Sequence, residues 1–320
     1  ALDPPTEPSL FDVADIQSAL ATDTRADLAD LEQLTATFRT VRPQAVFHLA
    51  AQSLVRESYR DPLATLNSNV IGTAHVLEAA RLSQSNCAVL VVTTDKVYAN
   101  RESPVPYNEA DPLGGHDPYS ASKAAAEIIA ASYRASFCSD TTASIRVATA
   151  RAGNVIGGGD WAAERLVPDC LRAFENRRPV QLRFPDAVRP WQHVFEPLAG
   201  YLALTEKLLG VNHHNFSRAW NFGPDACGDA TVGHVANALA QLWGPDAVVE
   251  NAADAPRLHE AQLLSLDSTC ARVELGWQPR WSLQQALTQT VAWHRGWKQG
   301  ADMAALSVEQ IHNYLAAVRP

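Results

Sequence analysis

Apolar positions along the chain change period several times, and each change marks an element. Leu28, Leu31, Leu34 and Phe38 recur at helical spacing and predict a helix over residues 27–41. After Pro43 the run 45–51 is short, apolar and carries Val46 and Phe47, which predicts a buried strand. Leu63, Leu66, Val70 and Leu77 then predict a long helix over 62–83, and a second apolar strand follows at 88–94. A loop holding Pro104, Pro106, Pro112, Gly114 and Gly115 leads to Asp117 and Pro118. Those two suit an N-cap and a first-turn proline, opening an Ala-rich helix over 119–137. A third strand, 144–150, completes a β-α-β-α-β alternation. Strands apolar on both faces and separated by helices belong to a parallel sheet covered on both sides, so the first half reads as a doubly wound α/β domain.

Beyond Gly153 the rhythm changes. Gly157, Gly158 and Gly159 precede a predicted short helix at 167–176 and a strand at 180–184. Helices at 196–209 and 231–242 flank a strand at 219–222, and the tail is helical over 283–298. This half reads as a smaller C-terminal lobe at the carboxyl ends of the strands, where open α/β sheets place their ligands. No internal repeat or low-complexity segment interrupts it.

Composition narrows the function classes. A chain of 320 residues with 47% hydrophobic and 19% charged content has the make-up of a folded protein of about two domains. Its net charge of −9 argues against nucleic acid as the main partner. Five scattered cysteines without a CxxC pair disfavour a disulfide framework or a zinc site, and no metal site is expected. The longest apolar run, 87–92, is far short of the roughly 18 residues of a membrane span. No signal-like segment opens the chain, so the expectation is a cytoplasmic enzyme or binding protein.

Candidate chemistry gathers at the predicted strand ends. Tyr119 and Lys123 stand at i and i+4, which puts both side chains on one helix face. An ammonium beside a phenol favours phenolate, drawing the tyrosine from about 10 toward general-base range. By itself the pair equally suits a surface tyrosine and a solvated lysine. Thr94, Asp95 and Lys96 close the second strand, offering an acid and a base side by side, or a solvated turn. Only four lysines occur, Lys96, Lys123, Lys207 and Lys298, and two of them fall in these motifs. The glycine-rich stretch 152–161 suits close approach to a phosphate, and Arg165, Arg183 and Arg189 follow it with guanidinium forks that suit a diphosphate. His193 and His259 have no partner at metal-ligand spacing and read as core or surface residues. Trp277, Trp281, Trp293 and Trp297 read as packing. No G-x-G-x-x-G turn occurs before Gly72.

Together the segments FHLAAQ (47–52), LVR (54–56), NVIGT (69–73), TTDKVY (93–98), DPYSASK (117–123), RAGNVIGGGDW (151–161), RPWQHV (189–194) and WNFGP (220–224) resemble the extended short-chain dehydrogenase/reductase family. Within it the chain is most similar to the nucleotide-sugar 4,6-dehydratases, and among them to the branch that takes CDP-glucose. Sister dehydratases acting on dTDP-glucose carry Glu where Lys96 stands, and epimerases lack the Asp-Lys pair.

The resemblance implies a Rossmann-type sheet over 1–152, with a return segment at about 186–224, and a nucleotide-sugar lobe over 153–185 and 225–320. It implies an intramolecular oxidation and elimination with tightly held NAD. Tyr119 would take the C4 hydroxyl proton, Lys123 would hold the nicotinamide ribose, and Thr94 would orient the hydroxyl. Asp95 would protonate the departing C6 hydroxyl, and Lys96 would move the C5 proton. Asp23, Leu49, Ala50, Ala51, Gln52, Asn69 and Thr93, with Tyr119 and Lys123, would line the NAD site. Arg56, Asn154, Arg165, Leu166, Arg183, Arg189 and His259 would hold the CDP-sugar. It further implies a homodimer built on the helices at 62–83 and 119–137, and a supply of deoxyhexose for cell-surface polysaccharide such as O-antigen. Against the family pattern the chain starts after the second strand. It is therefore expected to bind NAD poorly and to leave a sheet face bare. Two other readings stay open: another nucleotide-sugar dehydratase or epimerase, and a non-catalytic nucleotide-sugar-binding fragment.

Overall fold

The three apolar runs become neighbouring parallel strands, β1 (Ala45–His48), β2 (Cys87–Val92) and β3 (Ile145–Ala152), in a computed structural model that describes residues 2–138, 145–225, 228–252 and 263–317. A fourth strand, β4 (Ala219–Phe222), adds to β3, so the sheet order is β1, β2, β3, β4, all parallel. Pairing of Val89 with Val46 on one side and Val147 on the other sets the register. Among the described residues β1 is an outer strand, and Phe47 within it and Leu49 just after it are partly exposed, at 38% and 52%.

The helices cover both faces. α1 (Leu31–Val41) begins later than its apolar spacing suggests, because Asp27 accepts from Ala29 N and holds a turn before Asp30 caps the helix through Gln33 N. The long helix α2 runs through Pro62–Leu66, a π turn at Asn67–Ile71, and Gly72–Ser83. α3 (Pro118–Phe137) starts where Asp117 accepts from Ser120 N at 2.9 Å, the N-cap expected from the sequence. Phe38, Val76, Leu77 and Ala130 from these three helices pack on Val89, Val91 and Val147 of the sheet.

α4 (Leu166–Glu175) belongs to the second lobe, whereas α5 (Phe195–Leu209) covers the opposite sheet face with Tyr201, Leu204 and Leu208 on Leu90, Ala148 and Trp220. α6 (Val232–Trp243) and α7 (Leu283–Lys298) complete the lobe core with α4: Leu171 and Phe174 meet Val235, Leu239, Leu287 and Val291. Burying each such side chain contributes about 1.5–3 kcal/mol. The strand Val180–Leu182 pairs in parallel with Val249–Asn251, apart from the main sheet. A final helix, α8 (Met303–Ala316), buries Tyr314 but leaves Val308, Ile311 and Leu315 exposed, which blurs its apolar stripe.

Candidate active site

β1 ends at His48, three residues before the apolar run that predicts it does. The chain turns there because the Asn69 side chain, raised on the π turn of α2, satisfies the backbone in place of a strand neighbour. Asn69 Oδ1 accepts from Gln52 N at 2.8 Å, and Asn69 Nδ2 donates to Gln52 O at 2.9 Å and to Ser122 Oγ at 2.9 Å. A π turn widens the helix by one residue and re-aims a side chain, and Asn69 uses that device.

At the end of β2, Thr94 caps the 3-10 turn Asp95–Val97 by accepting from Lys96 N. Asp95 is 2% exposed; its Oδ1 accepts from Thr94 Oγ1 at 2.9 Å, and its Oδ2 has no hydrogen-bond partner among the described residues. Burial pushes this carboxyl up, with Lys96, Thr94 and Arg189 opposing, so Asp95 is disposed to carry a proton. Gly153 makes room for it: a Cβ there would lie 2.4 Å from Pro190 Cγ and 3.2 Å from Asp95 Oδ2.

Tyr119 and Lys123 are both buried on α3. Lys123 Nζ donates to Val92 O at 3.0 Å, and burial draws the amine down to about 8 against the pull of Glu127. Tyr119 departs from the expectation of a lowered phenol. Burial pushes it up to about 12, while the Thr94 hydrogen bond and the Arg165 charge pull the other way. The lysine has one N–H turned to the strand end, so in this structure desolvation outweighs it.

One cavity of about 440 Å³ brings the predicted pieces together. Thr93, Thr94, Asp95, Lys96 and Tyr119 line it, together with Arg56, Asn154, Arg165, Leu166, Arg183 and Arg189. Arg165 reaches across, donating to Ser53 Oγ at 2.9 Å. Ala51 and Gln52 face an adjoining cavity of about 760 Å³ that also touches Ser53, Trp161 and Trp297. Asp23 is not in either lining; it pairs with Arg25 at 2.7 Å. Leu49 and Ala50 are exposed beside β1, and His259 lies outside the described residues.

A family model for GDP-mannose 4,6-dehydratase matches residues 14–290. The chain belongs to that dehydratase family. It is 43% identical, over 99% of its length and 88% of the relative's, to a CDP-glucose 4,6-dehydratase of Salmonella typhimurium. It is 31% identical over 79% of its length and 73% of the relative's to a dTDP-glucose 4,6-dehydratase of Streptomyces griseus. Among solved structures, the dTDP-glucose 4,6-dehydratase DesIV of Streptomyces venezuelae, with NAD and TYD bound, superposes with a TM-score of 0.75 at 25% identity, covering 89% of this chain and 84% of that one. The UDP-glucose 4-epimerase of Thermus thermophilus, a complex with NAD, superposes with a TM-score of 0.73 at 25% identity over 85% and 84%. The Rossmann-type fold and the NAD-dependent hydro-lyase class expected from the sequence therefore stand. No helix among the described residues is long and apolar enough to cross a membrane.

Other residues of this dehydratase site carry weaker sequence signals. Glu164 meets Arg60 at 3.0 Å and Arg56 at 3.7 Å from a left-handed backbone at φ +64°, joining two elements about a hundred residues apart, which no local pattern announces. Glu127 was more legible: it is the one acid in α3, a turn beyond Lys123.

Proposed function

We propose that this enzyme converts CDP-glucose to CDP-4-keto-6-deoxyglucose. The observation that carries the reading is Asp95, a buried carboxyl with a free oxygen, in the same cavity as Lys96, Tyr119 and a set of arginines suited to a diphosphate. An epimerase has no need of an acid for water loss.

The residues fit the nicotinamide-ribose end of NAD by their donor set. Lys123 gives one N–H to Val92 O and keeps two for ribose hydroxyls, next to the Tyr119 phenol. Ala51, Gln52 and Thr93, with the turn set by Asn69, would form the rest of that wall. When bound, NAD supplies the two-electron acceptor for C4 and the donor that reduces C6.

Tyr119 takes the C4 hydroxyl proton, with Thr94, which lines the same cavity, orienting the oxygen. Burial holds Tyr119 protonated, so phenolate depends on nearby cations: Arg165 pulls that way, and Lys123, one turn along the same helix, is assigned the same part. A ketone at C4 acidifies C5–H. Lys96 moves that proton, and Asp95, its carboxyl pushed up by burial, gives a proton to the departing C6 hydroxyl. Arg56, Asn154, Arg165, Leu166, Arg183 and Arg189 would hold the diphosphate and nucleoside.

Exposed Leu63, Leu66, Ile71, Ile128 and Phe137 on α2 and α3 support a homodimer through those helices. We place the enzyme in the cytoplasm, feeding deoxyhexose synthesis for polysaccharide such as O-antigen. The test is incubation of the protein with NAD and CDP-glucose, dTDP-glucose or UDP-glucose, followed by proton NMR. A 4-keto-6-deoxy product from CDP-glucose alone supports the reading. Consumption of dTDP-glucose in preference, or a C4 epimer as product, overturns it.

A further inference from the structure

Behind the Tyr119–Lys123 face of α3 lies a buried polar cluster that takes no direct part in the proposed reaction. Glu127 stands one turn beyond Lys123 on the same face and is 1% exposed. Its Oε1 accepts from Thr93 Oγ1 at 2.6 Å; its Oε2 accepts from Thr149 Oγ1 at 2.7 Å and from Arg151 Nη2 at 2.9 Å. Thr93 follows Val92, whose carbonyl receives Lys123 Nζ. One carboxylate thus ties α3 to the ends of both β2 and β3, beside the residue that anchors the lysine.

We propose that Glu127 is a positioning residue for the reaction: it locks the Tyr119–Lys123 face of α3 against the end of β2 and supplies the buried negative charge that keeps Lys123 an ammonium.

Three observations carry this. The hydrogen bonds join Glu127 to both central strands, so the spacing between α3 and the Thr94–Asp95 turn depends on it. Among the described residues the Glu127 charge acts on Lys123, Lys123 in turn acts on His48 from β1, and Arg151 from β3 and Arg134 from α3 act on Glu127. His48 is held neutral by burial, and the two arginines are positive, which leaves Glu127 as the negative charge behind the lysine. Burial alone would raise the Glu127 carboxyl, but Arg151 and the hydroxyl donors hold it below its ordinary value, so it is ionised. A buried ammonium with no such neighbour loses its proton, and with it the charge that favours the Tyr119 phenolate.

The inference rests on the roles proposed for Tyr119 and Lys123, and its test separates the two. With only four lysines in the chain, carbon-13 labelling at lysine Cε allows each to be titrated by NMR without substrate, and Lys123→Met assigns the resonance. Expected: in Glu127→Gln the Lys123 midpoint falls by at least about one pH unit, tenfold in its ionisation constant, while Glu127→Asp stays within about half a unit of wild type. The alkaline limb of kcat for CDP-glucose moves down with it in Glu127→Gln and is restored in Glu127→Asp, which a merely structural loss does not produce. An unchanged Lys123 midpoint in folded Glu127→Gln overturns the proposal. Should that variant fail to fold because Arg151 is left unpaired, the double variant Glu127→Gln with Arg151→Gln is compared with Arg151→Gln alone, in which Thr93 and Thr149 still bind the carboxylate; a fall of the Lys123 midpoint between the two supports the proposal and an unchanged midpoint overturns it. If wild type leaves CDP-glucose untouched while the titration shift is present, the proposed reaction fails and the Glu127–Lys123 coupling stands.

Discussion

Asp95→Asn isolates the proton proposed for the departing hydroxyl. The amide keeps the shape and can still accept from Thr94 Oγ1, the 2.9 Å bond that orients the side chain, but it has no acidic proton to give. Loss of a positioned general acid costs about 10²–10⁴-fold in kcat, or about 3–5 kcal/mol of transition-state stabilisation. Stability should move the other way. Because burial raises the Asp95 carboxyl above its ordinary 3.8, the unfolded chain releases this proton first as pH rises, and the native state is penalised from 3.8 up to the folded value. Asparagine removes that penalty, so at pH 7–8 the variant is expected to be at least as stable as wild type. The pH profile carries a third signature: wild-type activity that needs protonated Asp95 declines as pH climbs through its folded value, and the variant's residual activity lacks that limb. Proton NMR of CDP-glucose consumption across pH, beside thermal unfolding of both proteins, measures all three. A variant within tenfold of wild-type kcat and with the same limb would refute the reasoning.

Other parts of the structure give further expectations. Gly153→Ala drives a methyl against Pro190 Cγ at 2.4 Å and toward Asp95 Oδ2 at 3.2 Å, so it is expected to cost about 1–3 kcal/mol in urea unfolding and to depress activity beyond that loss. His48, drawn down to about 4 by burial and Lys123, and His193, drawn down to about 3 by burial, stay neutral while the unfolded chain takes up protons below about 6.5. Stability is therefore full above pH 6.5 and lost as pH falls toward 4, at up to about 1.4 kcal/mol per pH unit per histidine; a melting temperature unchanged between pH 7 and pH 5 would contradict this. Glu196 accepts from Arg280 N, Trp281 N and Tyr314 OH, at 3.0, 2.8 and 2.8 Å, and Glu196→Ala removes the acceptor of all three bonds. It should lower stability by about 3 kcal/mol or more and expose the tail to limited proteolysis.

Much of the site was legible because its residues are local in the chain. Thr94, Asp95 and Lys96 are consecutive, Tyr119 and Lys123 share one helix face, and Asp117 and Pro118 mark that helix's start by cap chemistry alone. Segments such as TTDKVY and RAGNVIGGGDW were long enough to carry a family resemblance. Less legible were contacts spanning distant parts of the chain. Ser53 with Arg165, and Arg60 with Glu164, come together only when the lobe packs against the sheet. Asp23, carried over from the resemblance, is held by its neighbour Arg25 and is not in either cavity lining.

Periodicity and capping by themselves determined the alternation of β and α, the parallel sheet and the helix that carries Tyr119 and Lys123, because those depend on residues within a few positions of one another. Tertiary structure decided where β1 stops, since Asn69 reaches the Gln52 backbone only through a π turn in a packed helix. It also decided the ionisation of the site. In sequence a lysine beside a tyrosine lowers the phenol, whereas in the folded protein desolvation raises Tyr119 and lowers Lys123, and the compensating charge comes from Glu127, itself fixed by Thr93, Thr149 and Arg151 on two strands. Burial is a property of the whole packing, so the strength of an acid or base emerges only once the chain has folded around it.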